Sequence, residues 1–250
     1  MAGRLKAAGF ADDQITLFAT PEHPKEGGLV AVLPGTWDQN GPEAHYRNRP
    51  AGKPFFAVFN FNESHESSMH QRKPLTTDPA KVRVPAYLPD TPEVRADFAQ
   101  YYDRVAEADR KIGAVLETLE KDGLAEDTII FYYSDHGGVL TRGKRFLFEN
   151  GTHPSLTVRF PKKFQHLAPA APGSRSTELV NWVDLAPTVL GLAGVPLPSH
   201  FQGRAFAGVS RAPAPEFTYS FRDRMDERYD LCRAVTDGRF RYIRNYRWDV

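Results

Sequence analysis

The residues with the most chemical promise stand at the end of an apolar run, "IIFYYSDHGG", where Ile129 to Tyr133 give way to Ser134, Asp135, His136, Gly137 and Gly138. A carboxylate beside an imidazole can hold a divalent metal. The Asp135 oxygens suit calcium, magnesium or zinc, and the His136 nitrogen suits zinc or manganese better. The two glycines permit a sharp exit and close backbone approach. Nine residues after Asp135 comes Lys144, within "TRGKRF". A cationic loop beside a metal is what an anionic ester needs as its leaving group departs. A second apolar run, "PFFAVFNF", leads to His65, and His153 follows the basic loop. Taken singly, each group is also what a solvated turn contains. Their order carries the case.

The elements that must position these groups read as an α/β arrangement. "PFFAVFNF" (54–61) has the pattern of a strand buried on both faces. Residues 62–91 are proline-rich and irregular. From Thr91 to Asp122, Val94, Phe98, Tyr102, Val105, Ile112, Val115, Leu116 and Leu119 recur at helical steps, with Pro92 in the first turn and Gly123 as a stop. "DTIIFYY" (127–133) and "SLTVRFP" (155–161) read as strands. "VDLAPTVLGLAGVPLP" reads as a helix with Asp184 at its N-cap and Gly194 at its end. "DLCRAVTDGRFRYIRNY" alternates around Asp237-Gly238 like a hairpin. Near the start, "MAGRLKAAGFADDQITLF" reads as a short amphipathic helix and "GGLVAVLPG" as a strand. In open α/β sheets, functional groups gather beyond the carboxyl ends of the strands, where His65 and Asp135-His136 both fall.

Composition narrows the function. The 250 residues carry 32 Lys and Arg against 31 Asp and Glu, a net charge of +1 that gives no reason to expect nucleic acid or an acidic membrane as partner. No stretch approaches the ~20 apolar residues of a membrane span. The N-terminus lacks the apolar core of a signal peptide. The single cysteine, Cys232, excludes an intramolecular disulfide framework. It reads as a half-buried structural residue on a strand.

The order of these stretches resembles the sulfatase family of the alkaline phosphatase superfamily. "GKPFFAVFNFNESHES", "DRKIGAVLETLEKDGLAEDTIIFYYSDHGG", "RGKRFLFENGTHPSLTVRFPKK", "VNWVDLAPTVLGLAGVPLPSHFQGRAF" and "RDRMDERYDLCRAVTDGRFRYIRNY" follow in the family's order over residues about 42–250. They look most like the branch containing heparan N-sulfatase and related bacterial enzymes. The resemblance implies a partial alkaline-phosphatase-like sheet flanked by helices, then the start of a small C-terminal antiparallel subdomain. It implies hydrolysis of a sulfuric ester or sulfamate on a sulfated small molecule or glycan. Asp135 matches a metal-ligand aspartate. His136 takes the next ligand position, where asparagine favours calcium and histidine also serves zinc or manganese. Lys144 matches a basic residue on the sulfate ester. His65 matches a histidine near the leaving-group oxygen, a general-acid candidate. His153 is assigned to substrate binding by extension. Family members are often exported.

The same resemblance exposes gaps. Sulfatases use a formylglycine made from cysteine in a Cys-x-Pro/Ala-x-Arg context, and no cysteine precedes Cys232, where "CRAVT" has Thr236 in place of the arginine. The family's N-terminal metal aspartates and Lys-x-His pair are also not found; Asp12-Asp13 has the wrong context. Residues 1–35 instead resemble the start of an aminoacylase/carboxypeptidase-type zinc peptidase, without its ligands. The expected organisation is therefore a foreign segment at 1–35, the C-terminal half of a catalytic domain at 36–212 and a truncated subdomain at 213–250. A junction of two reading frames accounts for it. The chain alone is expected to bind metal weakly and hydrolyse sulfate esters poorly. A metal-dependent phosphatase or phosphodiesterase and a non-catalytic fragment are the alternatives.

Overall fold

The computed structural model describes residues 16–19, 37–225 and 228–249. The strand expected in "GGLVAVLPG", the first turns of the expected N-terminal helix and Asp12-Asp13 lie outside these. Two compact units divide between Val115 and Leu116.

In the first unit, three strands run parallel in the order β2-β1-β3: β1 is Thr16–Ala19, β2 Gln39–Asn40 and β3 Phe55–Val58. The sequence placed Thr16–Phe18 at the end of a helix. The backbone instead pairs with Phe55–Val58 residue for residue. Ladder hydrogen bonds to two neighbours outweigh the helical preference of Leu17 in a short segment whose Thr16 and Phe18 favour strand. The run at β3 is half-buried at each of its four residues rather than buried on both faces, and among the described residues only β1 pairs with it. Tyr46, 1% exposed, supports it by stacking on Phe55 with ring centres 4.9 Å apart.

Helix α1, Pro92–Lys121, matches its expected bounds. Its packed face is less apolar than the spacing implied: Tyr102, Val105 and Leu116 are over a third exposed, while Gln100 and Asp103 are buried. Both polar side chains serve the irregular segment before the helix. The Gln100 amide donates to the carbonyls of Ser68 and Gln71, at 3.3 and 2.9 Å. Asp103 accepts the backbone N–H groups of Thr76 and Thr77, both at 2.9 Å, and their hydroxyls. Sidewise alignment of i and i+3 on one helix face makes this double grip sterically available.

In the second unit, β4 (Ile130–Tyr133) and β5 (Leu156–Arg159) pair antiparallel. A single helical turn, α2 (Glu149–Thr152), lies between them in the chain. Helix α3, Leu185–Leu192, follows a 3-10 turn at Trp182–Asp184. Asp184 stands at the N-cap of α3, as the sequence indicated, but its side chain makes no capping bond to that helix. Its carboxylate takes the N–H groups of Asn181 at 3.0 Å and Arg204 at 2.9 Å, tying the turn to a later segment. Gly194, with φ +72°, ends the helical stretch. Strands β6 (Thr218–Met225), β7 (Arg228–Thr236) and β8 (Arg241–Asn245) form an antiparallel sheet, with the expected turn at Asp237-Gly238. Mixed helix and small antiparallel sheets are what the sequence led us to expect of a partial alkaline-phosphatase-like fold. Among the described residues no helix is long and apolar enough to cross a membrane.

Candidate functional site

Strand β4 hands the chain to the site in a defined way. The Ser134 N–H donates to the Ser155 carbonyl at 3.2 Å, extending the β4–β5 ladder by one step. The Ser134 hydroxyl then donates to the His136 carbonyl at 2.6 Å, which curls the chain out of the sheet. Beyond that point the loop is held by its own backbone. Gly137 N–H donates to Gly151 O at 3.0 Å, and Lys144 N–H to Gly138 O at 2.7 Å. These contacts require glycine: a Cβ on Gly137 would overlap the Asn150 carbonyl, and one on Gly143 the Gly138 carbonyl. The signal read as a sharp exit is thus a backbone crossing.

His136 and Asp135 come together. His136 Nε2 lies 3.7 Å from Asp135 Oδ1, with the aspartate side chain 80% exposed and the histidine 32%. His136 Nδ1 sits 2.7 Å from the Gly137 carbonyl oxygen. A carbonyl only accepts, so Nδ1 carries a proton, and in the neutral ring the Nε2 lone pair faces the carboxylate. A metal-binding histidine commonly shows this division of labour. Two ligands of one ion with bonds of ~2.0–2.6 Å stand roughly 3–4 Å apart, so the pair fits a shared divalent cation. Among the described residues no group of three or more His, Cys, Asp or Glu side chains gathers at one point.

Trp182 was not anticipated. Its indole N–H donates to the Asp135 carbonyl at 2.8 Å, and its ring lies 5.1 Å from that of Tyr133. Burial, and then the Asp135 charge, push the Tyr133 phenol above its ordinary value. Only an aromatic donor just ahead of the "VDLAPT" helix hinted at this role in the sequence.

Lys144 is half-buried and flanked by strain. Arg142 and Arg145 adopt left-handed backbone with φ 65° and 78°, a conformation that costs a non-glycine residue about 1–2 kcal/mol. The C-terminal sheet supports the loop. Leu147 packs on Cys232, Ala234 and Ile243, the Arg222 guanidinium lies 4.9 Å above the Phe146 ring, and Arg241 pairs with Glu149 at 2.7 Å.

His153 Nδ1 is 2.6 Å from Glu149 Oε1, so one ring nitrogen is already held within an ion network. Burial works to raise the Glu149 carboxyl, but hydrogen bonds from Arg241 and His153 outweigh it and set the group below its ordinary value. His65 belongs to the first unit. It caps the 3-10 turn Glu66–Met69, with Nδ1 accepting the Ser67 N–H at 3.2 Å. The neutral ring therefore carries its proton on Nε2.

Cys232 offers no nucleophile. It lies in β7, 9% exposed, and its S–H donates to Asp230 at 3.1 Å. Burial first, then the Asp230 hydrogen bond and charge, push the thiol up to about 11. A buried, protonated strand cysteine does not fit conversion to formylglycine.

Residues 39–195 match the family model described as Sulfatase. The chain is 36% identical over 248 residues to the ulvan-active sulfatase of Formosa agariphila, covering 84% of this chain and 41% of that protein. It is 33% identical over 153 residues to human N-sulphoglucosamine sulphohydrolase, covering 61% of this chain and 30% of that one. A solved structure in complex with its substrate D-glucosamine-2-N,6-O-disulfate aligns with TM-score 0.48 and 26% identity, over 62% of this chain and 34% of its own. The chain thus spans less than half the length of the relatives it matches.

Proposed function

Because this chain belongs to the sulfatase family, we propose that it carries the metal and leaving-group side of a site that hydrolyses sulfate esters or sulfamates on sulfated sugars. Sulfatases generally use a divalent metal and formylglycine. Calcium is the ion proposed here; Asp135 would supply part of the ~6–8 oxygen ligands it needs, with the His136 nitrogen beside it. The observation that carries the reading is the His136 tautomer, with Nδ1–H on the Gly137 carbonyl and Nε2 turned to Asp135.

When bound, such a cation polarises the sulfate oxygens and offsets their charge. The remaining roles belong to side chains of this chain. Lys144 supplies positive charge to the sulfate group, from a backbone fixed by its bond to Gly138. For His65, in the first unit, the resemblance implies a place near the leaving oxygen; its Nδ1 accepts the Ser67 N–H, so Nε2–H is the proton it has to donate. That bond supports hydrogen-bond donation by Nε2–H; a second ring proton, which the general-acid role implied by the resemblance requires, would displace it. His153 is proposed only to orient the loop's outer edge through Glu149. Cys232, buried in β7 and protonated, does not fit the formylglycine position.

Support for a sulfated sugar comes from the relatives named above and from N-acetylglucosamine-6-O-sulfatase of Bacteroides thetaiotaomicron, 38% identical over 113 residues. The test is titration of the chain with D-glucosamine-N,6-disulfate, with and without calcium. The expected result is calcium-dependent binding that Lys144→Ala and Asp135→Asn each abolish. Binding indifferent to calcium and to both substitutions would overturn the reading.

A further inference from the structure

We propose that Trp182 is a positioning residue for the metal donors, acting through the main chain of Asp135. The inference rests on the reading of Asp135 and His136 as ligands. Asp135 is an exposed side chain on a loop beyond a two-stranded sheet, an arrangement that by itself leaves its carboxylate free to sample several rotamers and peptide orientations. Two main-chain anchors bracket the pair. On the far side, Gly137 N–H is fixed to Gly151 O at 3.0 Å. On the near side, the Asp135 carbonyl is fixed by the Trp182 indole at 2.8 Å. The peptide plane between Asp135 and His136 is thereby held, and with it the directions in which both side chains leave.

Trp182 can serve this way because it is itself immobilised. It opens the 3-10 turn Trp182–Asp184, which a reciprocal capping box between Asn181 and Asp184 closes. The Asp184 carboxylate also takes the Arg204 N–H at 2.9 Å. Next to it, Gly203 lies so close to the Val183 carbonyl that any Cβ would overlap it. The Thr188 hydroxyl, wholly buried, donates to the Asp184 carbonyl at 2.7 Å and accepts the Phe206 N–H at 3.0 Å. This chain of contacts runs from α3 through the turn to the indole. Ring contact with Tyr133 at 5.1 Å sets the indole's distance from the end of β4. Trp182→Phe retains an aromatic ring beside Tyr133 and removes the indole donor.

The test uses manganese(II) as the probe, with binding followed by water-proton relaxation, on wild-type chain, Asp135→Asn and Trp182→Phe. The predicted outcome is manganese binding in wild type, its loss in Asp135→Asn, and a weakening of about tenfold in Trp182→Phe with an unchanged thermal midpoint. A melting change without an affinity change means a structural role only and overturns the inference. Equal affinity in wild type and Trp182→Phe overturns it while leaving the ligand assignment standing. Equal binding, or none, in wild type and Asp135→Asn overturns the ligand assignment itself. A second measurement needs no variant at position 182. In wild type the Trp182 indole proton is expected to exchange slowly and its resonance to shift on adding calcium; an indole proton that exchanges freely overturns the inference.

Discussion

His136 Nδ1 stands 2.7 Å from the carbonyl oxygen of Gly137, its own neighbour in the chain. The contact decides which ring nitrogen is available and turns Nε2 toward Asp135. Losing that nitrogen should weaken metal binding without unfolding the loop, whose backbone-to-backbone bonds at Gly137 and Lys144 remain. We expect His136→Ala to lower manganese affinity by about tenfold or more while shifting the thermal midpoint little. Relaxation titration alongside a melting curve checks both parts.

The loop crossing at Gly137 and Gly143 has no room for a side chain. Gly137→Ala should destabilise by about 1–3 kcal/mol, the usual cost of forcing atoms into a packed site, or open the loop locally. Its signature is faster amide exchange at Gly137 and Lys144, whose N–H groups close the crossing. Unchanged exchange at both amides would refute the crossing as described.

Asp103 makes a prediction in pH. Burial works to raise its carboxyl, but the hydroxyls and N–H groups of Thr76 and Thr77 hold it down, at about 2 against an ordinary 3.8. A depressed folded value means that its stabilisation is complete above the unfolded value and is lost as pH falls through roughly 4 to 2. Asp103→Asn should therefore cost about 1–3 kcal/mol at pH 7 and show a smaller acid-induced loss than wild type. Urea unfolding at pH 3 and pH 6 measures it.

Cys232 predicts the opposite end of the scale. Its thiol lies at about 11 against an ordinary 9.0, so the unfolded chain ionises first and stability falls as pH rises above about 9. Below that, the thiol should react with Ellman's reagent far more slowly than the same cysteine in urea. Coexpression with a formylglycine-generating enzyme should leave the cysteine mass unaltered. Aldehyde at position 232 would refute the structural role.

Much of this was legible because it is local. The helix Pro92–Lys121 announces itself through spacing, a proline at its first turn and a glycine after its last. The hairpin at Asp237-Gly238 carries its turn signal, and the Asp135-His136 pair needs only adjacency. What sequence could not supply is contact across distance. Trp182 lies 47 residues from Asp135, and nothing in "NWVDL" says which carbonyl its indole will meet. Gln100 and Asp103 look like the polar flank of an apolar stripe, yet they are buried because a coil without its own ladder needs partners. Thr16–Ala19 pairs because Phe55–Val58 is there to receive it. The support of the Lys144 loop by the C-terminal sheet, through Leu147, Arg222 and Arg241, is likewise a tertiary fact.

The most direct test of the central claim is a crystal of the chain soaked in manganese(II) and measured at the manganese absorption edge. The account predicts an anomalous peak bonded to an Asp135 carboxylate oxygen and to His136 Nε2, with Nδ1 still on the Gly137 carbonyl. A peak elsewhere, or none at that pair, would contradict it.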